Sequence, residues 1–181
     1  KLKLDDMSPS LAYIDVNSGA LIERAELQPE FHQLSIRHID VNEAGTVAIA
    51  MQYQGERSRQ VPLVASHKSG EKINFLDASS EILARMKQYC GSVRYSQNGE
   101  YILVSSPKGN LMTVWSIREG KCVDHFRCQD ASGVAPLNNG GFAISSGQGK
   151  IYHYAIESQT LRAVSRPQTN TLAWDNHLSR I

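Results

Sequence analysis

Residues 99–121 read G-E-Y-I-L-V-S-S-P-K-G-N-L-M-T-V-W-S-I-R-E-G-K, two apolar runs with a polar turn between them and a glycine turn at each end. Short apolar runs closed off by Gly, Asn and Ser are the pattern of adjacent antiparallel strands. The closing glycine, Gly120 in R-E-G-K, has counterparts in Gly70 (K-S-G-E) and Gly19 (N-S-G-A), at spacings of 50 and 51 residues. The opening one, Gly99 in S-Q-N-G, has counterparts in Gly45 (N-E-A-G) and Gly140 (N-N-G-G), at spacings of 54 and 41. Two turn series interleaved in constant order define a repeated β-unit, and this period predicts propeller blades.

Superposing the repeats gives four strand columns. The inner strand reads I-R-H-I-D-V (36–41), G-S-V-R-Y-S (91–96), S-G-V-A-P-L (132–137) and N-T-L-A-W-D (170–175), with Ile39, Val93 and Val134 at one equivalent apolar position. The expected fold is all-β: a partial propeller of four-stranded antiparallel blades. Residues 9–27 supply two outer strands, 34–78, 91–128 and 132–167 supply three full blades, and 170–181 open another. Two end faces are then bare, each larger than the few hundred Å² a monomer usually exposes. This reading makes the chain the C-terminal half of a longer propeller, its ends covered by the missing half or by a second copy. A four-bladed ring is the alternative.

The blade over 34–90 is longer than the next. Val93 follows Ile39 by 54 residues and Val134 follows Val93 by 41, an excess of 13. Four fall between the second and third strands and nine before the next inner strand. The latter include S-S-E-I-L-A-R-M-K-Q-Y (79–89), which predicts a short capped helix with Ile82, Leu83 and Met86 inward. Both insertions emerge on the same rim, and insertions gathered on one face mark a binding face.

The chain carries 19 basic and 18 acidic residues, a net charge of +1, with no basic stripe. That argues against nucleic acid as the principal partner. No apolar run reaches the ~20 residues a membrane span needs, and the start K-L-K-L-D-D is no signal peptide. Cys122 and Cys128 lie about 20 Å apart along one strand and cannot pair. Cys90 and Cys128 both precede a blade, and whether they pair is left open.

The segments M-S-P-S-L-A-Y-I-D (7–15), L-S-I-R-H-I (34–39), M-Q-Y-Q-G (51–55), S-S-P-K-G (105–109), S-S-G-Q-G (145–149) and A-W-D-N-H-L (173–178) resemble a bacterial β-propeller family of unknown function. The resemblance covers nearly the whole chain and the later half of a full-length member. It implies a seven-bladed propeller exported to the periplasm, usually by a twin-arginine signal. It also implies a neighbourhood of imelysin-like lipoproteins and dihaem oxidoreductases in iron-acquisition clusters, hence periplasmic iron-uptake partners. No activity or cofactor comes with it.

Arg37, His38, Gln52, Tyr53, Gln54, Ser106, Lys108 and Gln148 are the candidate ligand-binding residues, expected around the axial mouth on the inserted rim. Arg57, Arg59, Ser105, Ser145 and Ser146 fall on the same rim. Their competing role is to cap strand ends and bond loop carbonyls. The six histidines lack metal-ligand spacing, with His38 alone at the mouth and His177 on the opposite rim. Neither serine pair has a nucleophile turn, S-S-G-Q-G-K lacks the helix of a phosphate loop, and no catalytic residue or metal ligand is assigned. Trp115-Ser116 and Ile14-Asp15 stand where WD repeats carry Trp-Asp. The expected function is an extracytoplasmic binding or accessory propeller in bacterial iron acquisition. The alternatives are a propeller enzyme with an axial metal or cofactor and a cytoplasmic WD-repeat-like scaffold.

Overall fold

Gly19, Gly45, Gly70, Gly99, Gly120 and Gly140 all have φ between +66° and +85° in the computed structural model. Such turns are strained for any residue with a Cβ, which is the physical reason glycine returns at these points. The structure describes residues 3–165, 173–175 and 177–179.

Between the turns, fourteen strands run among the described residues. β1 (Ser10–Ile14) and β2 (Leu21–Glu26) form a two-stranded antiparallel sheet. Three four-stranded antiparallel sheets follow, each in simple sequential order. The first holds β3 (Leu34–Val41), β4 (Val47–Tyr53), β5 (Val64–His67) and β6 (Asn74–Phe75). The second holds β7 (Ser92–Tyr95), β8 (Tyr101–Ser106), β9 (Leu111–Ser116) and β10 (Lys121–Arg127). The third holds β11 (Ala131–Pro136), β12 (Phe142–Ser146), β13 (Ile151–Ala155) and β14 (Thr160–Ser165). β3, β7 and β11 lie side by side as inner strands, so the sheets follow one another like blades around an axis. The expected opening strand at 170–181 falls partly outside the described residues; 173–175 and 177–179 are not in a strand.

The middle blade shows what holds the stack together. Side chains of a strand alternate between faces, so Ile102, Val104, Leu111 and Trp115 enter the core shared with the preceding blade. Leu103, Met112 and Val114 enter the core shared with the following one. Buried serines reinforce the stack: Ser105 Oγ of β8 donates to Ser132 O of β11 in the next blade at 2.8 Å, and within that blade Gly133 N donates to Ser145 Oγ of β12 at 2.9 Å. At the perimeter, Asp77 N donates to Gly120 O and Asp77 O accepts from Cys122 N, both at 2.8 Å. That pair joins the outer edges of two blades.

The two-stranded sheet is tied on through Tyr13. His67 is 2 % exposed, its Nε2 2.9 Å from Glu71 O and its Nδ1 2.6 Å from the Tyr13 hydroxyl. A carbonyl only accepts, so Nε2 carries a proton and donates it to Glu71 O. Glu23 of β2 also accepts from Ser69 Oγ and, at 2.9 Å, from Gly70 N, and these bonds hold its carboxyl below the usual carboxylate range.

Val93 and Val134 are buried at 2 % and 0 %, but the equivalent Ile39 is 48 % exposed. The sheet preceding β3 has only two strands and no inner pair to cover that position. Val41 on β3 and Ile14, Leu21 and Ile22 on the two-stranded sheet are exposed as well. Cys90, Cys122 and Cys128 are all free thiols, so Cys90 and Cys128 are not paired. Burial pushes the thiols up, Cys90 to about 12 and the other two to about 11.

Candidate functional site

The helix α1 (Ser80–Arg85) begins as the cap pattern predicts, with Ser79 Oγ accepting from Ile82 N at 3.3 Å. It ends earlier than residue 89. Lys87 and Gln88 take φ of 51° and 56°, two consecutive left-handed residues without glycine, which cost energy and break the helix there. Met86 is fully buried, and Ile82 and Leu83 pack partly against the core.

The reversal brings Gln88 over the loop between β4 and β5. Its Nε2 faces the carbonyls of Glu56, Arg57 and Arg59 at 3.0, 3.2 and 2.8 Å, which pins that loop. Gln54 N donates to Gln33 O at 2.9 Å, while Gly55 lies so close to the Tyr53 ring that a Cβ there would come within 2.5 Å of it. On the other side, Gly109 closes the 3-10 turn Pro107–Gly109 against the carbonyl end of α1. Both insertions and the neighbouring blade thus contribute to one groove of about 750 Å³.

Gln52, Tyr53, Gln54 and Lys108 line this groove together with Arg57, Arg59 and Lys87. Val61, Leu63 and Leu83 give it an apolar floor. The Arg59 guanidinium lies 6.0 Å from the Tyr53 ring centre and donates to Glu30 O, and Lys108 Nζ stands 4.7 Å over the Tyr89 ring. Among the described residues no carboxylate lines the groove; that of Glu56, in the same loop, accepts from Ser58 Oγ at 2.5 Å. Among the described residues none pairs with these four cations.

The other four candidates lie elsewhere. Ser106 is fully buried; its hydroxyl makes no standard hydrogen bond among the described residues and lies beside the Cys90 thiol. Gln148 is exposed in the turn after β12, where its N–H donates to Ser146 Oγ at 3.1 Å. Arg37 falls at the register shift between β3 and β4 and is exposed. His38 is half-buried against His177, with ring centres 5.3 Å apart.

That histidine pair places His177 beside His38, not across the disc from it. Residues 177–179 reach the inner strands: Leu178 Cβ lies 2.9 Å from where a Gly133 Cβ would be, and Leu178 O accepts from Arg94 Nη2 at 3.4 Å. Arg94 also pairs with Asp40 at 3.0 Å, and Asp40 Oδ2 accepts from Tyr95 N at 2.8 Å, joining β3 to β7. Among the described residues, no three His, Cys, Asp or Glu side chains converge as metal ligands.

Burial holds His38 below the usual imidazole range, reinforced by His177, Arg37 and Arg94 and opposed by Asp175. The unfolded chain therefore binds this proton more readily, so the contribution to stability is present above about pH 6.5 and is lost as pH falls. Acidification from pH 7.5 to 5 is expected to loosen the His38–His177 contact and reduce stability. Proton NMR of the imidazoles checks this, and a His38 titration at or above 6.5 would contradict it.

Propeller architecture and the rim groove are thus defined together. The chain belongs to the family described as "Protein of unknown function (DUF1513)", whose profile matches residues 1–181. Among curated proteins none matches the sequence. Solved structures with the same fold include a streptogramin B lyase, with TM-score 0.66 and 12 % identity over 89 % of this chain and 49 % of that one. Virginiamycin B lyase from Staphylococcus aureus gives TM-score 0.65 and 12 % identity over 90 % and 50 %. U3-55K gives TM-score 0.65 and 13 % identity over 88 % and 49 %. The chain spans about half the length of the solved structures it matches. At such identities the likeness defines the fold alone.

Proposed function

We propose that this protein is an extracytoplasmic binding or accessory propeller serving bacterial iron acquisition, with the rim groove as its ligand site. The observation that carries the binding reading is the groove itself: among the described residues it is lined by four cations without an ion-pair partner and by no carboxylate, in a chain whose net charge is only +1. Compartment and iron link rest on the family resemblance. Fractionation of cells carrying the intact gene tests them: the protein is expected in the periplasmic fraction and more abundant under iron depletion. A cytoplasmic pool indifferent to iron would discard this part. The scaffold alternative calls for an apolar or aromatic patch on the inserted rim. Among the described residues the large exposed apolar ones instead lie outside the groove lining: Ile14, Val16, Leu21, Ile22, Ile39, Val41, Val164 and Trp174.

The exposed positions on β3 and the two-stranded sheet support a second element of the proposal, that further blades cover them in a larger ring. The isolated 181-residue chain should then self-associate as its concentration rises, because hydrating a bare apolar face is unfavourable. Ile39→Asp with Val41→Asp should shift it toward monomer in a sizing experiment. A wild-type chain that stays monomeric at millimolar concentration defeats the idea.

A further inference from the structure

We propose that the rim groove takes an organic polyanion: an apolar body carrying two or more carboxylate or phosphate groups. The inference rests on reading the groove as a ligand site and adds the chemistry of the ligand.

Three features of the groove point the same way. The first is the sign and number of its charges. Arg57, Arg59, Lys87 and Lys108 come from three separate segments, and among the described residues no acidic side chain lines the groove with them. One anionic group cannot neutralise four cations, so the arrangement favours a ligand with several. The two guanidinium groups supply forked donors that match carboxylate and phosphate oxygens, while the two ammonium groups act as point charges.

The second feature is the floor. Leu83 and Ala84 present apolar surface to the groove, while Val61 and Leu63, buried at 4 % and 1 %, form its packed floor. A bare inorganic ion would leave that surface wet. A carbon skeleton would cover it and gain roughly 25 cal/mol for each Å² removed from water. The Gln52 and Gln54 side chains also line the groove and make no hydrogen bond among the described residues, which leaves both donors and acceptors free for a ligand.

The third feature is preorganisation. Lys87 is delivered by one of two adjacent left-handed residues, while Gln88 holds the Arg57 and Arg59 backbone through their carbonyls. Strained backbone of this kind persists where the surroundings over-determine it and gathers at ligand clamps. Fixing the loop before the ligand arrives lowers the ordering cost of binding.

Isothermal titration with backbone-amide NMR on the full-length protein tests the proposal, using benzene-1,3,5-tricarboxylate, 1,3-phenylene bisphosphate and inorganic phosphate as probes. At least one organic anion is expected to bind about ten-fold more tightly than inorganic phosphate, shifting the amides of residues 52–60 and 87–88. The tighter of the two identifies carboxylate or phosphate ester as the natural group. Arg57→Glu with Lys87→Glu should weaken that binding at least ten-fold, and raising the salt concentration should weaken it in the wild type. Leu83→Ala should weaken the organic anion and leave inorganic phosphate unchanged. Equal affinity for all three probes at the groove would overturn the polyanion proposal but keep the site. Absence of any groove shift with every probe would overturn both.

Discussion

Trp115→Ala is expected to cost about 3–5 kcal/mol of folding free energy, the range for deleting a fully buried large aromatic side chain. Trp115 has no exposed surface and packs into the core shared by the first two four-stranded blades. Its indole Nε1 donates to Thr113 Oγ1 at 2.9 Å. The threonine retains Val104 O as a partner at 3.4 Å, so the loss is mostly cavity and contact, with little from an orphaned hydroxyl. Stabilities of such domains lie around 5–15 kcal/mol, so the loss would take a large share of the total. Urea denaturation measures the difference. Trp174, the other tryptophan, is 39 % exposed, and Trp174→Ala should change stability by less than about 0.5 kcal/mol. A loss below about 1 kcal/mol for Trp115→Ala would mean that this core is not packed as described.

Gly109→Ala should disturb the groove more than its one methyl group suggests. A Cβ at Gly109 would lie 2.2 Å from Arg85 O and 3.2 Å from Arg85 C. Those are backbone atoms at the end of α1, and no rotamer change relieves the clash. Either α1 withdraws or the 3-10 turn reforms, at a cost of about 1–3 kcal/mol. Because Lys87 and Gln88 follow directly from α1, the pinned loop should lose its anchor and anion binding should fall with it. Gly19→Ala is the contrasting variant: nothing lies within 4 Å of its Cβ, and only the positive φ is penalised, by about 1 kcal/mol. NMR shifts confined to residues near 109 with an undisturbed groove would refute the linkage.

The repeat was legible in the sequence because each blade needs the same two left-handed turns, and only glycine meets that need cheaply. The helix start was legible because Ser79 caps it by a local bond, and the 13-residue excess located the groove. What escaped depends on neighbours far apart in the chain. Ser106 ends its strand on the expected rim, but strand alternation turns it into the core beside Cys90. Lys87 was hidden because residues 79–89 read as one helix, with nothing to signal two left-handed residues inside it. The Tyr13–His67 bond, the Asp40–Arg94 pair and the His38–His177 contact each join separate segments, so spacing cannot reveal them. Ile39 shows the converse: its pattern matches Val93 and Val134, but burial depends on what stands in front of it.

The bond pair at Asp77 bears on how the molecule would yield under load. Two amides of adjacent wedges are clamped to each other at the outer edge, where a disc would otherwise be easiest to prise apart. Pulled in an optical trap, residues 34–127 should therefore rupture as one unit and not as two separate steps. Slow deuterium uptake at Asp77 and Cys122 should report the same event.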